Sequence, residues 1–395
     1  MRRLLPSIPR QRSSLALASP LLLLGCFGDD LPTNLGGSGS TGVGGSSSTG
    51  LPTTTGESTT TGAQDSTSSG STGSSGSDGE SSSSTGMEPV DPNCPGCITL
   101  VEGLEEGRGL SLHGDFVYFT DQADGTVNRV PKGGGELEEL ANLQMQPYDV
   151  VANDDQVFWT TFVDGGSVWR ANLPSGPPIA LSADGFPRML QLHGDHVYWC
   201  AFDEIEGRVR RVSTAGIGNP PQTLVAVGSG VADLVVYGSN VYFTVHEPPD
   251  MPGLAPPGVV YLASAEVPTD VADLEWVALD QSEPWGIAAA ADTIFWVNGL
   301  GNPDDQPKSV LSSTAAGGGG PGLLALDQTA PWGIAADDSL VYWTDWTNVK
   351  AIPHAGGDEI MVAQMQYLAR SIAVDDTDVF WITKEKVMQR PKPER

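Results

Sequence analysis

The stretch Ser339–Trp346 reads SLVYWTDW and places two large aromatic side chains, Tyr342 and Trp343, next to each other in a short β-rich run. Successive side chains of a strand point to opposite faces of the sheet. Both faces of this strand therefore carry a bulky ring, and both faces need cover. A strand of this kind is expected to lie between two other packed layers.

The same strand occurs seven times along the chain. Its copies read FVYFTD, VFWTT, VYWCA, VYFTV, IFWVN, VYWTD and VFWIT, and their second aromatic residues are Phe119, Trp159, Trp199, Phe243, Trp296, Trp343 and Trp381. A period of roughly 40 to 45 residues, with several short strands in each unit, is typical of a β-propeller. The repeat therefore predicts blades, each covered on both sides by its neighbours.

An aliphatic marker stands nine residues before the second aromatic residue of every copy. These markers are Leu110, Val150, Leu190, Leu234, Ile287, Ile334 and Ile372. The fixed offset indicates a first strand joined to the aromatic strand by a tight polar turn. We predict an all-β fold, a seven-bladed β-propeller of four-stranded blades. The last unit lacks its fourth strand, and the N-terminal strand Ile98–Gly103 is predicted to complete that blade and remove an open edge.

The best copies of the repeat resemble a known propeller family. The motifs YFTD at Tyr118 and YWTD at Tyr342, with PWGIA at Pro284 and Pro331, are similar to the YWTD propellers of lipoprotein-receptor ectodomains and to NHL-type propellers. The resemblance covers about Ile98 to Pro391. It implies the propeller architecture and a binding role without chemistry, as in most members. Those propellers have six blades rather than seven, so the resemblance assigns no ligand.

The N-terminal quarter has the features of an export signal followed by a tether. Residues 1–25 combine basic residues with a short apolar run that ends at Cys26 in LLGC, which looks like a bacterial lipobox. We predict a lipoprotein signal peptide and a lipidated Cys26; the alternative is an ordinary export signal with a chance cysteine. Residues 26–90 are rich in Ser, Thr and Gly and are predicted to be a disordered tether. Residues 91–395 form the predicted propeller domain.

The net charge and the positions of the cysteines limit the cellular location and the classes of binding partner. The net charge of −29 argues against nucleic-acid binding, which needs a basic surface, and it suits a monomer that resists self-association. The predicted location is the bacterial cell envelope, with the outer membrane or cell surface favoured and the lipid anchor as the only membrane contact. Cys94 and Cys97 are predicted to form a disulfide in this exported chain. Cys200 is left over and is predicted to be a buried free thiol.

Candidate binding residues follow from the blade geometry, because the loop into the first strand and the loop after the second emerge on the same face. The residues two positions before the markers are expected to surround the mouth of the central channel, and we name them the mouth ring: Arg108, Tyr148, Arg188, Ala232, Trp285, Trp332 and Arg370. Aromatic faces and guanidinium groups suit an anionic, sugar or peptide ligand. The alternative is that each Arg pairs with a local Asp and each Trp caps the core.

Two longer loops and two aspartates are further candidates. The proline-rich loops after the aromatic strands of units four and five carry Glu247, Asp250, Asp304 and Asp305, and long loops on a rigid scaffold often carry function. The alternative is that both loops are tolerated insertions. Asp149 and Asp233 stand one position before their markers and would line the channel as a calcium or lactonase-like site. No other cofactor is predicted.

We therefore expect a membrane-tethered exported propeller that binds a protein, peptide or glycan ligand through its channel-mouth face. The enzyme alternative is a propeller hydrolase or lyase that uses a metal in the central channel, and a third alternative is a structural envelope protein. The five His fall at differing positions of the repeat, and no Ser/His/Asp or metal-ligand spacing emerges. The sequence therefore assigns no catalytic residue.

Overall fold

The computed structural model describes residues 94–203, 206–216, 218–228, 230–246, 258–299, 308–315 and 320–394. Within these residues the chain forms seven four-stranded antiparallel sheets, which confirms the predicted seven-bladed propeller. The inner strands of successive blades contact each other, and the inner strand of the seventh blade contacts that of the first. The ring of blades is therefore closed around a central channel.

The first three blades follow the order expected from the repeat, from the channel outward. Blade 1 contains β2 (Gly107–His113), β3 (Phe116–Asp121), β4 (Thr126–Pro131) and β5 (Glu138–Ala141). Blade 2 contains β6 (Pro147–Ala152), β7 (Gln156–Thr161), β8 (Val168–Asn172) and β9 (Ile179–Ala180). Blade 3 contains β10 (Phe186–His193), β11 (His196–Phe202), β12 (Gly207–Ser213) and β13 (Gln222–Val227).

The remaining blades repeat this arrangement. Blade 4 contains β14 (Gly230–Tyr237), β15 (Asn240–His246), β16 (Gly258–Ser264) and β17 (Glu275–Gln281), with a 3₁₀ turn at Val271–Asp273. Blade 5 contains β18 (Pro284–Ala290), β19 (Thr293–Asn298), β20 (Ser309–Thr314) and β21 (Gly322–Ala325). Blade 6 contains β22 (Ile334–Ala336), β23 (Leu340–Thr344), β24 (Val349–Pro353) and β25 (Ile360–Ala363). Blade 7 contains β26 (Ser371–Val374), β27 (Asp378–Ile382) and β28 (Lys386–Pro391).

The N-terminal strand completes the seventh blade. β1 (Ile98–Glu102) pairs antiparallel with β28, with Ile98 opposite Gln389 and Glu102 opposite Lys386. The first and last segments of the propeller thus share one sheet. This pairing covers the edge of β28, which would otherwise be open to another chain.

The two adjacent aromatic residues in the second strand of a blade pack into different interfaces, one with each flanking blade. Tyr342 packs with Trp381 of blade 7, whereas Trp343 packs with Phe295 and Val297 of blade 5. The five tryptophans at the second aromatic position are all fully buried. The cover that the sequence required is therefore supplied by the two neighbouring blades.

Each of these five buried tryptophans donates its indole N–H to an acceptor 15 residues earlier, in the segment that leads into the same blade. The acceptors of Trp159, Trp199, Trp296, Trp343 and Trp381 are Gln144, Asp184, Gln281, Gln328 and Gln366, at 2.9–3.1 Å. A buried indole N–H without a partner is costly, so the acceptor belongs with the Trp. The blades with Phe119 and Phe243 carry Leu104 and Gly228 at the corresponding place.

In four of the seven blades, a threonine hydroxyl directly after the second aromatic residue ties neighbouring blades together. Thr160 accepts the Asp149 N–H of its own blade at 3.1 Å and donates to the Arg188 carbonyl of the next blade at 2.7 Å. Thr120, Thr244 and Thr344 make the same pair of bonds. Cys200 stands at this position in blade 3, buried and free, with Sγ 3.6 Å from the Ala232 carbonyl. The repeat thus encodes both the packing and the hydrogen bonds between blades.

The chain enters the propeller on the side opposite the mouth ring. Cys94 and Cys97 are disulfide-bonded and buried, and they pack with Leu340 at the start of β23. That end of β23 follows the turn on the face away from the mouth. In the described part of the chain, no helix is long and apolar enough to cross a membrane.

Candidate functional site

A repeated bulge positions the mouth ring in blades 1 to 5. The register between inner and second strand slips by one residue within 107–110, 147–150, 187–190, 231–233 and 284–287. Each slip includes the mouth-ring residue of its blade. A bulge re-aims a side chain that would otherwise alternate with the strand, and bulges are frequent beside functional sites. The local backbone therefore turns these side chains toward the channel mouth.

Five side chains of the mouth ring form a closed circuit of contacts. The guanidinium carbon of Arg108 lies 4.7 Å from the Tyr148 ring centroid and 5.4 Å from that of Trp332. Arg188 donates to the Tyr148 hydroxyl at 3.2 Å, and its guanidinium carbon lies 4.6 Å from the Trp285 ring centroid. Trp285 and Trp332 meet edge to face at 5.5 Å, which closes the circuit. We call these five side chains the mouth circuit.

The small side chain of blade 4 makes room for this circuit. Ala232 occupies the mouth-ring position of blade 4, and Arg188 of blade 3 reaches past it to Trp285 of blade 5. Arg108 likewise reaches from blade 1 to Trp332 of blade 6. The mouth ring therefore acts across the channel rather than only between adjacent blades.

Arg370 lies outside the circuit and joins the first and last blades. It forms an ion pair with Glu106 and donates to the Gly107 carbonyl at 3.2 Å. Its side chain is nearly fully buried, so breaking this pair would leave an uncompensated charge. This contact is the local ion pair that the sequence analysis gave as the alternative, except that the acid is Glu106 rather than Asp.

The mouth circuit creates a positive potential at its centre. Burial raises the pKa of the Tyr148 phenol, but Arg188 and Arg108 lower it by more, so the pKa is below its ordinary value. Two guanidinium groups on one phenol thus outweigh the desolvation of that phenol. In a chain with a net charge of −29, this is a local reversal of sign.

A cavity of about 290 Å³ lies in the channel beside the mouth circuit, lined by the inner strands of all seven blades. Asp149 and Asp233 line it, the first buried and the second half buried, and their carboxylates connect neighbouring inner strands. Asp149 accepts the N–H groups of Val150 at 2.9 Å and Leu190 at 2.7 Å. Asp233 accepts those of its neighbour Leu234 at 2.7 Å and, across the interface, of the blade 5 marker at 3.1 Å. Both carboxylates therefore act as ties between blades.

Burial sets the protonation of this part of the channel. It raises the pKa of Asp149 and of Asp233 to about 7, although backbone N–H groups oppose the shift. It also raises the pKa of the Cys200 thiol to about 12. Near neutral pH the two carboxyl groups are thus partly protonated, and the thiol is neutral.

The calcium site at Asp149 and Asp233 remains a prediction. Each of the two carboxylates already accepts two backbone N–H groups. In the described ranges, no group of three or more His, Cys, Asp or Glu side chains is arranged to hold a metal ion. Further ligands would have to come from backbone carbonyls, water or residues outside those ranges.

Several predicted positions lie outside the described residues. They are Cys26 and the long-loop acids Glu247, Asp250, Asp304 and Asp305. The ends of the two long loops are described, and one of them contributes to the mouth: His246 stacks on Trp285, with ring centroids 5.4 Å apart.

The structure adds a second layer of aromatic residues that the sequence analysis missed. Phe162 lies beside Arg188, whose guanidinium carbon is 5.6 Å from its ring centroid, and it packs against Phe186, which stacks on Phe202. Phe162, Phe202, His246 and Trp346 all stand three residues after a second aromatic residue. This fixed offset is a sequence signal of the same kind as the marker offset, and it places aromatic side chains at the mouth-facing ends of the second strands.

Comparisons with known proteins support the architecture alone. No protein-family model matches the sequence, and no curated protein matches it significantly. Among solved structures, the fold is similar to virginiamycin B lyase from Staphylococcus aureus, with a TM-score of 0.59 at 13% identity, over 74% of this chain and 97% of that chain. It is also similar to the WD40 β-propeller domain of Doa1, with a TM-score of 0.56 at 11% identity, over 75% of this chain and 96% of that chain. The chain shares the β-propeller fold with both proteins, and identities this low show nothing beyond the fold.

Proposed function

We propose that this protein is a membrane-tethered exported propeller that binds a protein, peptide or glycan ligand through its channel-mouth face. The mouth circuit carries the proposal. The repeat places a bulge at this position in blades 1 to 5, yet the residue in the bulge differs between blades. A position that only packs the fold keeps similar residues in every blade, as the second aromatic position does, whereas one asymmetric ligand needs different residues around one axis. Large aromatic and Arg side chains at the centre of a surface are the usual anchors of binding.

The direction of the chain is consistent with a tether that leaves the mouth accessible. Cys94 and Cys97 pack on the side away from the mouth ring, so the chain enters the domain there. In this proposal, Cys26 carries the lipid, and the Ser/Thr/Gly-rich segment separates the propeller from the membrane. A flexible coil of about 60 residues of this composition has an end-to-end distance on the order of 45 Å.

The binding role is tested with peptide and glycan arrays probed by the full-length protein. Two variants are compared with it: Trp285→Ala combined with Trp332→Ala, and Trp276→Ala. Trp276 is the matched control, because it lies on the outermost strand of blade 4 and is 51% exposed. We expect ligands to lose at least tenfold in affinity with the mouth variant and to bind the control unchanged. Ligands that bind both variants as well as the parent would show that the mouth is not the site.

The tether is tested separately by Cys26→Ser. If Cys26 carries the lipid anchor, the variant should move from the membrane fraction to the soluble exported fraction. Retention of the variant in the membrane fraction through detergent-free washing would contradict the anchor. This outcome would leave the binding role of the mouth untouched.

A further inference from the structure

We infer that Arg108 is the primary anchor of the mouth, and that the group it binds is the carboxylate of an acidic sugar. The inference rests on the proposed function and names the ligand class for the same site. Four observations support it: the charge partners of the mouth cations, the environment of the Arg108 guanidinium, the hydrogen bonds of the mouth backbone, and the exposure of Trp332.

Arg108 differs from the other cations near the mouth in its charge partners. Arg370 pairs with Glu106, Arg208 pairs with Asp203 and Glu206, and Arg210 pairs with Asp184. Within the described ranges, no carboxylate forms an ion pair with Arg108, and its contacts are with the side chains of Tyr148 and Trp332. Arg188, the other guanidinium of the mouth circuit, is buried and donates to the Tyr148 hydroxyl, whereas Arg108 is only half buried. A half-buried central guanidinium that no described carboxylate pairs with has room beside it for an external anion.

The surroundings of Arg108 favour a carboxylate over a diffuse anion. Two aromatic rings pack against the guanidinium and fix its orientation, while its N–H groups stay directed along its edges. A fixed guanidinium edge matches the two oxygens of a carboxylate, which it binds with two parallel hydrogen bonds. The side chain itself remains only half buried, so a ligand can reach it.

The backbone of the mouth is already hydrogen-bonded, which disfavours a peptide bound by main-chain contacts. The carbonyls of Tyr148, Arg188 and Trp285 accept hydrogen bonds from threonines of the preceding blades at 2.6–3.0 Å. A peptide in an extended conformation is held mainly by such main-chain groups. Recognition at this mouth therefore has to use side chains.

Trp332 supplies the second half of the site. Its ring centroid lies 5.4 Å from the guanidinium carbon of Arg108. The side chain is half buried, so part of its indole remains exposed beside the guanidinium. An exposed indole next to a carboxylate anchor fits a ligand with one apolar ring face and one pendant carboxylate. A uronic acid has this combination, because its pyranose ring carries the carboxylate directly.

The test compares D-glucuronate with D-glucose, which differ only at C6, by calorimetric titration of the full-length protein. We expect glucuronate to bind at least tenfold more tightly than glucose. Arg108→Gln should reduce the glucuronate affinity at least tenfold and leave the glucose affinity unchanged. Arg108→Lys keeps the charge but loses the paired donors, and we expect an intermediate loss. Arg390→Gln, which removes the same charge from a half-buried position on the outer part of blade 7, is the matched control and should bind like the parent.

Four outcomes would overturn the inference. Equal affinities for glucuronate and glucose would show that no carboxylate is recognised. An unchanged glucuronate affinity in Arg108→Gln, or an equal loss in Arg390→Gln, would show that Arg108 is not the anchor. Tighter binding of an acidic peptide such as tetra-glutamate, lost in Arg108→Gln, would replace the sugar and leave the proposed mouth function standing. The proposed function itself would fail only if the array ligands bound the variant with Trp285→Ala and Trp332→Ala as tightly as they bind the parent.

Thermal unfolding of each variant separates loss of the fold from loss of binding. If Arg108→Gln does not fold, the decision passes to Arg108→Lys, which keeps the positive charge at this position. A folded Arg108→Lys that binds glucuronate as tightly as the parent would overturn the requirement for a paired donor.

Discussion

The tryptophans of the second strands and the tryptophans of the mouth ring are built on opposite rules. The second-strand position carries Trp in five blades and Phe in two, and every one of these side chains is fully buried. The mouth ring carries Trp in only two blades, and the other five hold Arg, Tyr or Ala. The repeated second-strand position is needed for packing in every blade. The variable mouth-ring position instead forms one surface that belongs to the whole ring.

Hydrogen bonding shows the same contrast. Each second-strand Trp has its own acceptor 15 residues earlier in the chain, as Trp296 has Gln281 at 2.9 Å. The mouth tryptophans instead contact side chains of other blades, as Trp332 contacts Arg108 across the channel. Repetition along the chain therefore identifies the residues that build the fold, and departures from repetition identify the candidate site.

The largest expected effect comes from removing two tryptophans of each kind. Trp296→Ala with Trp343→Ala should cost roughly 6–10 kcal/mol of the free energy of unfolding, since each buried aromatic residue replaced by Ala costs about 3–5 kcal/mol. Trp285→Ala with Trp332→Ala should cost less, because Trp332 is only half buried, although Trp285 is buried. Chemical denaturation of both double variants measures the difference. Equal losses would mean that the mouth pair is core and would remove the basis of the proposed site.

The sequence predicts the regular part of this comparison and only the positions of the irregular part. A fixed nine-residue offset places Arg188 and Trp285 at equivalent points of blades 3 and 5. Their contact depends on the width of the channel and on the small Ala232 between them, and no local pattern encodes a distance across a ring. The acceptor 15 residues before each buried Trp was visible in the sequence, since Gln or Asp precedes Trp there and never precedes Phe.

A second effect, of intermediate size, concerns the pH dependence that Asp149 and Asp233 give to the fold. Their pKa of about 7 in the folded protein lies above the ordinary value of 3.8, because burial disfavours the charge. Between pH 3.8 and pH 7, the two carboxyl groups of the folded state hold protons that the unfolded state has released. Their contribution to stability is therefore complete below about pH 4 and disappears as the pH rises through 7.

We expect the free energy of unfolding to fall between pH 4 and pH 7 by up to about 4 kcal/mol for each of the two carboxyl groups. Asp149→Asn with Asp233→Asn should flatten that slope. Asp337 gives the matched contrast: burial would raise its pKa, but Lys392 and backbone N–H groups hold it well below its usual range. Its contribution is present above the ordinary value and is lost as the pH falls. Asp337→Asn should therefore lower the free energy of unfolding at neutral pH, and it should change the slope of the pH dependence only on the acid side, below about pH 4. A double variant that keeps the full slope would show that the channel aspartates are ionised throughout this range.

The smallest effect tests whether the acceptor and the Trp form one unit. Gln144 accepts the Trp159 indole N–H at 3.0 Å and is itself half buried. Gln144→Ala leaves this donor without its partner, so we expect a loss of about 1 kcal/mol. In a Trp159→Phe background the same change should cost nothing, because Phe has no N–H and the two natural Phe blades use Leu104 and Gly228 at this place. A double-mutant cycle by chemical denaturation gives the coupling directly. A loss from Gln144→Ala that is equal in both backgrounds would mean that the glutamine stabilises its loop for another reason, and the repeat would then encode only packing at this position.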